Sequence, residues 1–212
     1  MDQEVKKREF VTLLKSLNII FTVFLVMIIC SIVVLGGLMV TAMFMGEQTV
    51  DNLLQKGSVS ASIQFEGLEI LLNDKIVNDI TYDKMTVVKM LAFTLIYSAL
   101  IMMIVIFVKN FLKTISKGEI FSLGNSKRIE WIAYCFIVIS LTVDSFHSYI
   151  LYTVSELFQL KQLLVETDWV EGIQFHFIGI NWSMLLCGLV IWTIARIFKY
   201  GAFLQEEYDA TV

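Results

Sequence analysis

Of 212 residues, 57% are hydrophobic and only 17% are charged; the mean hydropathy is +0.75 and there is no proline. Soluble domains carry about 25% charged residues, so this composition excludes an ordinary soluble domain and reads as an integral membrane protein. The net charge of −4 is modest, no direct nucleic-acid binding is expected, and the placement of the charges along the chain is more informative than their sum.

A basic amino-terminal segment, residues 1–16, precedes the first apolar run at 17–45, "LNIIFTVFLVMIICSIVVLGGLMVTAMFM", which holds no charge. A helix needs about 20 apolar residues to cross the hydrocarbon core, whereas a signal-peptide core has roughly 7–15, so a retained span is expected here. A second span is expected at 89–108, a third at 131–152 and a fourth at 177–198.

Lysine and arginine set the expected orientation. Lys6, Lys7, Arg8, Lys15, Lys109, Lys113, Lys117, Lys127, Arg128, Arg196 and Lys199 fall on one side, eleven in number. Lys56, Lys75, Lys84, Lys89 and Lys161, five in all, fall on the other. Both termini and the 109–130 connection are therefore expected in the cytoplasm, with the 46–88 and 153–176 segments outside.

In "SASIQFEGLEILLN" a turn at Glu66-Gly67 opposes Phe65 to Leu68, Ile63 to Ile70 and Ala61 to Leu72, which predicts a hairpin over 61–72. A second alternating stretch, "GIQFHF", carries Ile173, Phe175 and Phe177 on one face. The two together predict a small extracellular β-subdomain built from the first and third connections; a lone hairpin with irregular loop is the alternative. Leu157, Leu160, Leu163 and Leu164 have helical spacing and extend the third span or form a short surface helix. The expected fold is thus an all-α membrane protein, a four-transmembrane-helix bundle carrying that β-subdomain.

In the basic connection, "FVKNFLKTISKGEIFSLGNSKRIEWIAY", Gly118 reads as a helix stop and Asn125 or Ser126 as the cap of the next helix. Ile120 and Phe121 are apolar between charges, so this elbow is expected to fold back on the leaflet or the bundle. Lys127 and Arg128 fall in a first helical turn, where the dipole disfavours cations. With Lys113 and Lys117 they are expected to anchor the protein at the membrane surface as positive-inside residues; anionic headgroups that offset the dipole are the alternative. The chain ends in "KYGAFLQEEYDATV", residues 199–212, an acidic segment expected in the cytoplasm.

The stretches "KGEIFSLGNSKRIEWIAY" and "IARIFKYGAFLQEEYDATV" resemble the YoaS-like family of small four-span bacterial membrane proteins. Its elbow pattern falls on Gly118, Ile120, Phe121, Asn125, Lys127 and Arg128, with Ile120 where proline is usual. Its terminal pattern falls on Phe198, Gly201, Leu204, Glu206, Glu207, Asp209, Thr211 and Val212. Family members are often encoded beside a small helix-turn-helix regulator, so the resemblance implies such a DNA-binding protein as partner. The expected partner-binding residues are Gln205, Glu206, Glu207, Asp209, Thr211 and Val212.

Asp144 is an acidic residue inside an otherwise apolar span, with His147 three residues on and His176 ahead of the fourth span. Either the three form a proton-sensitive or metal-binding cluster, or Asp144 hydrogen-bonds to neighbouring spans and the histidines are interfacial. Cys30, Cys135 and Cys187 each lie in an apolar run and read as small core residues. No nucleophile–base set, HExxH, phosphate-cradling glycines or paired carboxylates occur, so neither an enzyme nor a cofactor is expected. The function expected is a membrane-bound regulatory or sensory protein restraining a cytosolic regulator. The alternatives are an immunity or envelope-stress protein that binds an extracellular peptide, and a subunit of a larger membrane complex.

Overall fold

The computed structural model describes residues 2–46, 62–65, 68–71, 84–157 and 174–211. Four long helices dominate: α1 (Asp2–Phe44), α2 (Lys84–Ile115), α3 (Leu123–Leu157) and α4 (Trp182–Thr211). Each is long and apolar enough to cross a membrane, so the chain is a multi-pass membrane protein by length and composition. All four exceed the roughly 20 residues that the hydrocarbon core requires. Even α4, the shortest of the four at 30 residues, extends about 45 Å at ~1.5 Å per residue.

The chain divides into two compact units, one of residues 1–34, 94–144 and 179–212, the other of residues 35–93 and 145–178. In the first, α3 and α4 approach closely because small residues line their contact. Gly188 of α4 lies against Ile137 and Phe136 of α3, and Ser140 and Ala195, which the hydrogen bonds below join across the two helices, are buried. Lipid supplies no hydrophobic drive for helices to associate, so van der Waals packing at small residues and interhelical hydrogen bonds carry this interface. The Ser126 hydroxyl donates to the Ala195 carbonyl at 2.9 Å, and the Asn181 amide donates to the Ser140 carbonyl at 2.9 Å.

The second unit contains the hairpin. Strand β1 (Ser62–Phe65) pairs antiparallel with β2 (Leu68–Leu71), with Ile63 opposite Ile70 and Phe65 opposite Leu68, the expected register. Ala61, Leu72 and the Glu66-Gly67 turn lie outside the described residues, as do Leu160, Leu163, Leu164 and Ile173. The β-subdomain expected from the first and third connections is not formed among the described residues: the sheet there has two strands, and residues 174–181 are not a strand. Aromatic packing gives the reason. Phe175 and Phe177 set their rings against Tyr152 of α3, at 5.6 and 5.7 Å between centroids in edge-on geometry. These edge-on ring contacts hold Phe175 and Phe177 on the helix rather than at a sheet edge.

The fourth helix begins at Trp182, five residues later than expected, because Asn181 caps it. Its Oδ1 accepts from the Met184 amide at 3.1 Å, and a side-chain acceptor ahead of the first turn fixes where a helix starts.

Candidate functional site

The connection between α2 and α3 is a rigid elbow. Gly118 ends the first arm with φ at 91°, a left-handed conformation that glycine adopts without a Cβ penalty. Ser122 starts the second arm: its Oγ accepts from the Asn125 amide at 3.2 Å, the geometry of an N-cap serving the third helical residue. The cap is therefore Ser122, not Asn125 or Ser126. Asn125 is left for another task.

Asn125 is fully buried, and each end of its side chain is used. The amide nitrogen donates to the carbonyls of Glu119 and Ile120 at 2.8 and 3.1 Å. The amide oxygen accepts from Nη1 of Arg128 at 2.9 Å. One side chain so closes the elbow and orients a guanidinium. Arg128 Nη1 also donates to Thr114 Oγ1 and reaches the Asn110 carbonyl at 3.4 Å. Its charge thus sits beside the last turns of α2, where exposed carbonyls favour a cation, which offsets its unfavourable place in the first turn of α3. Of the four residues expected to anchor the protein on lipid, Lys113, Lys117 and Lys127 are exposed, whereas Arg128 is half-buried and spent on this internal network. Among the described residues no buried side-chain nitrogen or oxygen lacks a partner.

The elbow also holds α4. Phe121 packs on Phe198 at 5.2 Å between centroids, and Phe111 of α2 meets the same ring at 5.7 Å. Gly201 lets Phe121 in: a Cβ there would stand 2.7 Å from its ring. One turn earlier, Arg196 pairs with Glu130 at 3.3 Å and lies over the Trp192 ring, while Tyr134 donates to Glu130 at 2.9 Å. The elbow and terminal patterns, far apart in sequence, thus meet through Phe121, Phe198 and Gly201, and the end of α4 is braced on the elbow side.

Beyond this brace the helix continues. Gln205, Glu206 and Glu207 are exposed, and so are Phe203 and Leu204. Asp209 and Thr211 belong to the same helix, and Val212 lies outside the described residues.

A family profile described as a protein of unknown function, DUF2975, matches residues 72–212, which include the elbow, the braced glycine and the acidic segment. The chain belongs to the DUF2975 family. No curated protein and no solved structure shows significant similarity to it. In this DUF2975 chain both stretches singled out in the sequence fall inside the matched range, and they are packed on one another.

Asp144 takes no part in that site. It receives a hydrogen bond from the Asn181 side-chain amide at 3.4 Å, and Gly179 is pressed against its side chain. His147 and His176 are both exposed, and no group of three histidine, cysteine, aspartate or glutamate residues able to hold a metal exists among the described residues.

Sequence reasoning missed Ser122, Asn110 and Thr114. The Ser122 signal was legible, since a serine three residues ahead of Asn125 is an N-cap spacing; Asn110 and Thr114 carry no local signal, because their role depends on where the elbow places Arg128.

Proposed function

We propose that the protein is an integral regulatory protein of the bacterial plasma membrane, of the YoaS-like kind, that holds a cytosolic helix-turn-helix transcription regulator through the end of α4. The observation that carries this reading is the form of the acidic segment. It is a continuation of α4, with Phe203 and Leu204 exposed beside Gln205, Glu206 and Glu207. A 30-residue helix leaves about ten residues past a hydrocarbon core that ~20 residues cross. Apolar side chains exposed there, flanked by acids, suit a groove that is apolar at its floor and basic at its rim. A helix-turn-helix protein carries such a basic face to neutralise phosphates. Occupied by the acidic helix, that face is unavailable to DNA. Both termini lie in the cytoplasm on this reading, in accord with the distribution of basic residues.

The test is recovery of the regulator encoded beside the gene by the full-length protein, by a chain lacking residues 205–212, and by a Glu206→Lys/Glu207→Lys variant. Charge reversal is expected to weaken binding at least ~10-fold at low salt, since like charges across an interface oppose association. Equal recovery by all three removes the segment from the mechanism. Altered sensitivity to extracellular peptides on gene deletion, with unchanged expression of the neighbouring operon, favours the immunity reading instead.

A further inference from the structure

Two exposed lysines flanking the elbow, Lys113 and Lys127, share a depth, and that depth identifies a ligand. The hydrocarbon border is marked by aromatic residues. Phe107 of α2 and Trp131 of α3 stack at 6.4 Å with rings 15° apart, Tyr134 meets Trp131 edge-on, and Trp131 is half exposed. Tryptophan and tyrosine concentrate at the membrane–water interface, so this stack sets the edge of the apolar core. Lys113 lies six residues past Phe107 on α2, and Lys127 four residues ahead of Trp131 on α3. At ~1.5 Å per residue both stand about 6–9 Å beyond the border, the level of phosphate headgroups. Lys117 follows in the turn that Gly118 closes.

We infer that Lys113, Lys117 and Lys127, on the elbow fixed by Asn125, form a binding surface for anionic phospholipids of the adjoining leaflet. Arg128 is left out of it, because it is half-buried and its Nη1 is turned inward to Thr114 and Asn125. The elbow is closed by a buried side chain bonded to two of its own carbonyls, so the three lysines are presented with little ordering left to accomplish on binding. Lys127 supplies a second argument. It is an exposed cation in the first turn of α3, where the helix dipole opposes it, and a lipid phosphate in that position removes the conflict. The inference stands independently of any cytosolic partner.

The experiment uses the full chain reconstituted in vesicles of phosphatidylcholine containing about one-third phosphatidylglycerol, with bromine on the acyl chains of one lipid or the other. Quenching of tryptophan fluorescence then reports the relative association of the two lipids, and a Trp131→Phe control isolates the part due to Trp131. One lysine near an anionic surface is worth about fivefold in affinity, so a preference for phosphatidylglycerol of ~5-fold or more is expected at low salt. It falls below about twofold in a Lys113→Gln/Lys117→Gln/Lys127→Gln variant and in 0.5 M salt, where the Debye length is only ~4 Å. No preference in the unaltered protein, or an unchanged preference in the triple variant, overturns the inference. So does abolition of the preference by millimolar inorganic phosphate, which identifies a site for free anions rather than lipid. Circular dichroism of the triple variant, with unchanged helix content expected, separates loss of the surface from loss of the fold.

Discussion

Replacing Asn125 by leucine is expected to destabilise the protein by about 2–4 kcal/mol, the range for breaking a buried hydrogen-bond network. Leucine is close to asparagine in shape but neither donates nor accepts, so it leaves the Glu119 and Ile120 carbonyls without their donor and Arg128 without one of its acceptors. Asn125→Asp separates these two contributions. A carboxylate keeps, and strengthens, the bond to Arg128, but it sets an oxygen against two carbonyl oxygens. If closing the elbow is what matters, Asn125→Asp is destabilised about as much as the leucine variant. If holding Arg128 is what matters, it behaves like the unaltered protein. The elbow geometry favours the first outcome, because Arg128 retains Thr114 and the Asn110 carbonyl in either variant. Reversible unfolding in mixed micelles, followed by circular dichroism, measures the difference. The same variants are expected to lose lipid preference and regulator binding together, since the lysines and the braced end of α4 both depend on the elbow.

The second large effect is expected at Gly188. A Cβ there would stand 2.9 Å from Ile137 Cγ1 and 3.3 Å from both the Ile137 backbone nitrogen and Phe136 Cβ. Two of these atoms cannot rotate out of the way, so α4 must move away from α3. Gly188→Leu is expected to destabilise by ~3 kcal/mol, the upper part of the overpacking range, and Gly188→Ala by ~1 kcal/mol. Gly37 is the control. Nothing lies within 4 Å of a Cβ built there, so Gly37→Leu gains helix propensity in open space and is expected to change stability by less than ~0.5 kcal/mol. Equal damage at both glycines would mean that α1 is covered in the assembled membrane by something other than lipid.

The four helices were legible because a bilayer demands long uncharged runs, and Lys15, Lys89, Lys109 and Glu47 bracket those runs plainly. The hairpin register was legible because a period of two, with a glycine at the turn, leaves one way to match Ile63 and Phe65 to apolar partners. What was not legible depended on tertiary competition. Phe175 and Phe177 alternate as a strand would, and the sequence does not reveal that Tyr152 offers them a better surface. Arg128 reads like Lys127 from its position, yet one is half-buried in a network and the other exposed, a difference made by where Gly118 turns the chain. Both elbow and acidic end stood out in the sequence as unusual. Their contact through Gly201 did not, because a glycine near a helix end more often marks a stop than a notch for a ring from eighty residues away.

Regulator binding and cytosolic restraint both require that residues past the brace on α4 meet the cell interior. Accessibility of Ala210→Cys tests this most directly, in a chain whose Cys30, Cys135 and Cys187 are replaced by alanine. Ala210 is exposed and lies in the last turns of α4. With a membrane-impermeant maleimide, the predicted result is no labelling on intact cells and full labelling after permeabilisation. Gly124→Cys on the elbow is predicted to behave identically. Labelling of Ala210→Cys on intact cells would place the acidic helix outside and contradict the proposed restraint of a cytosolic regulator.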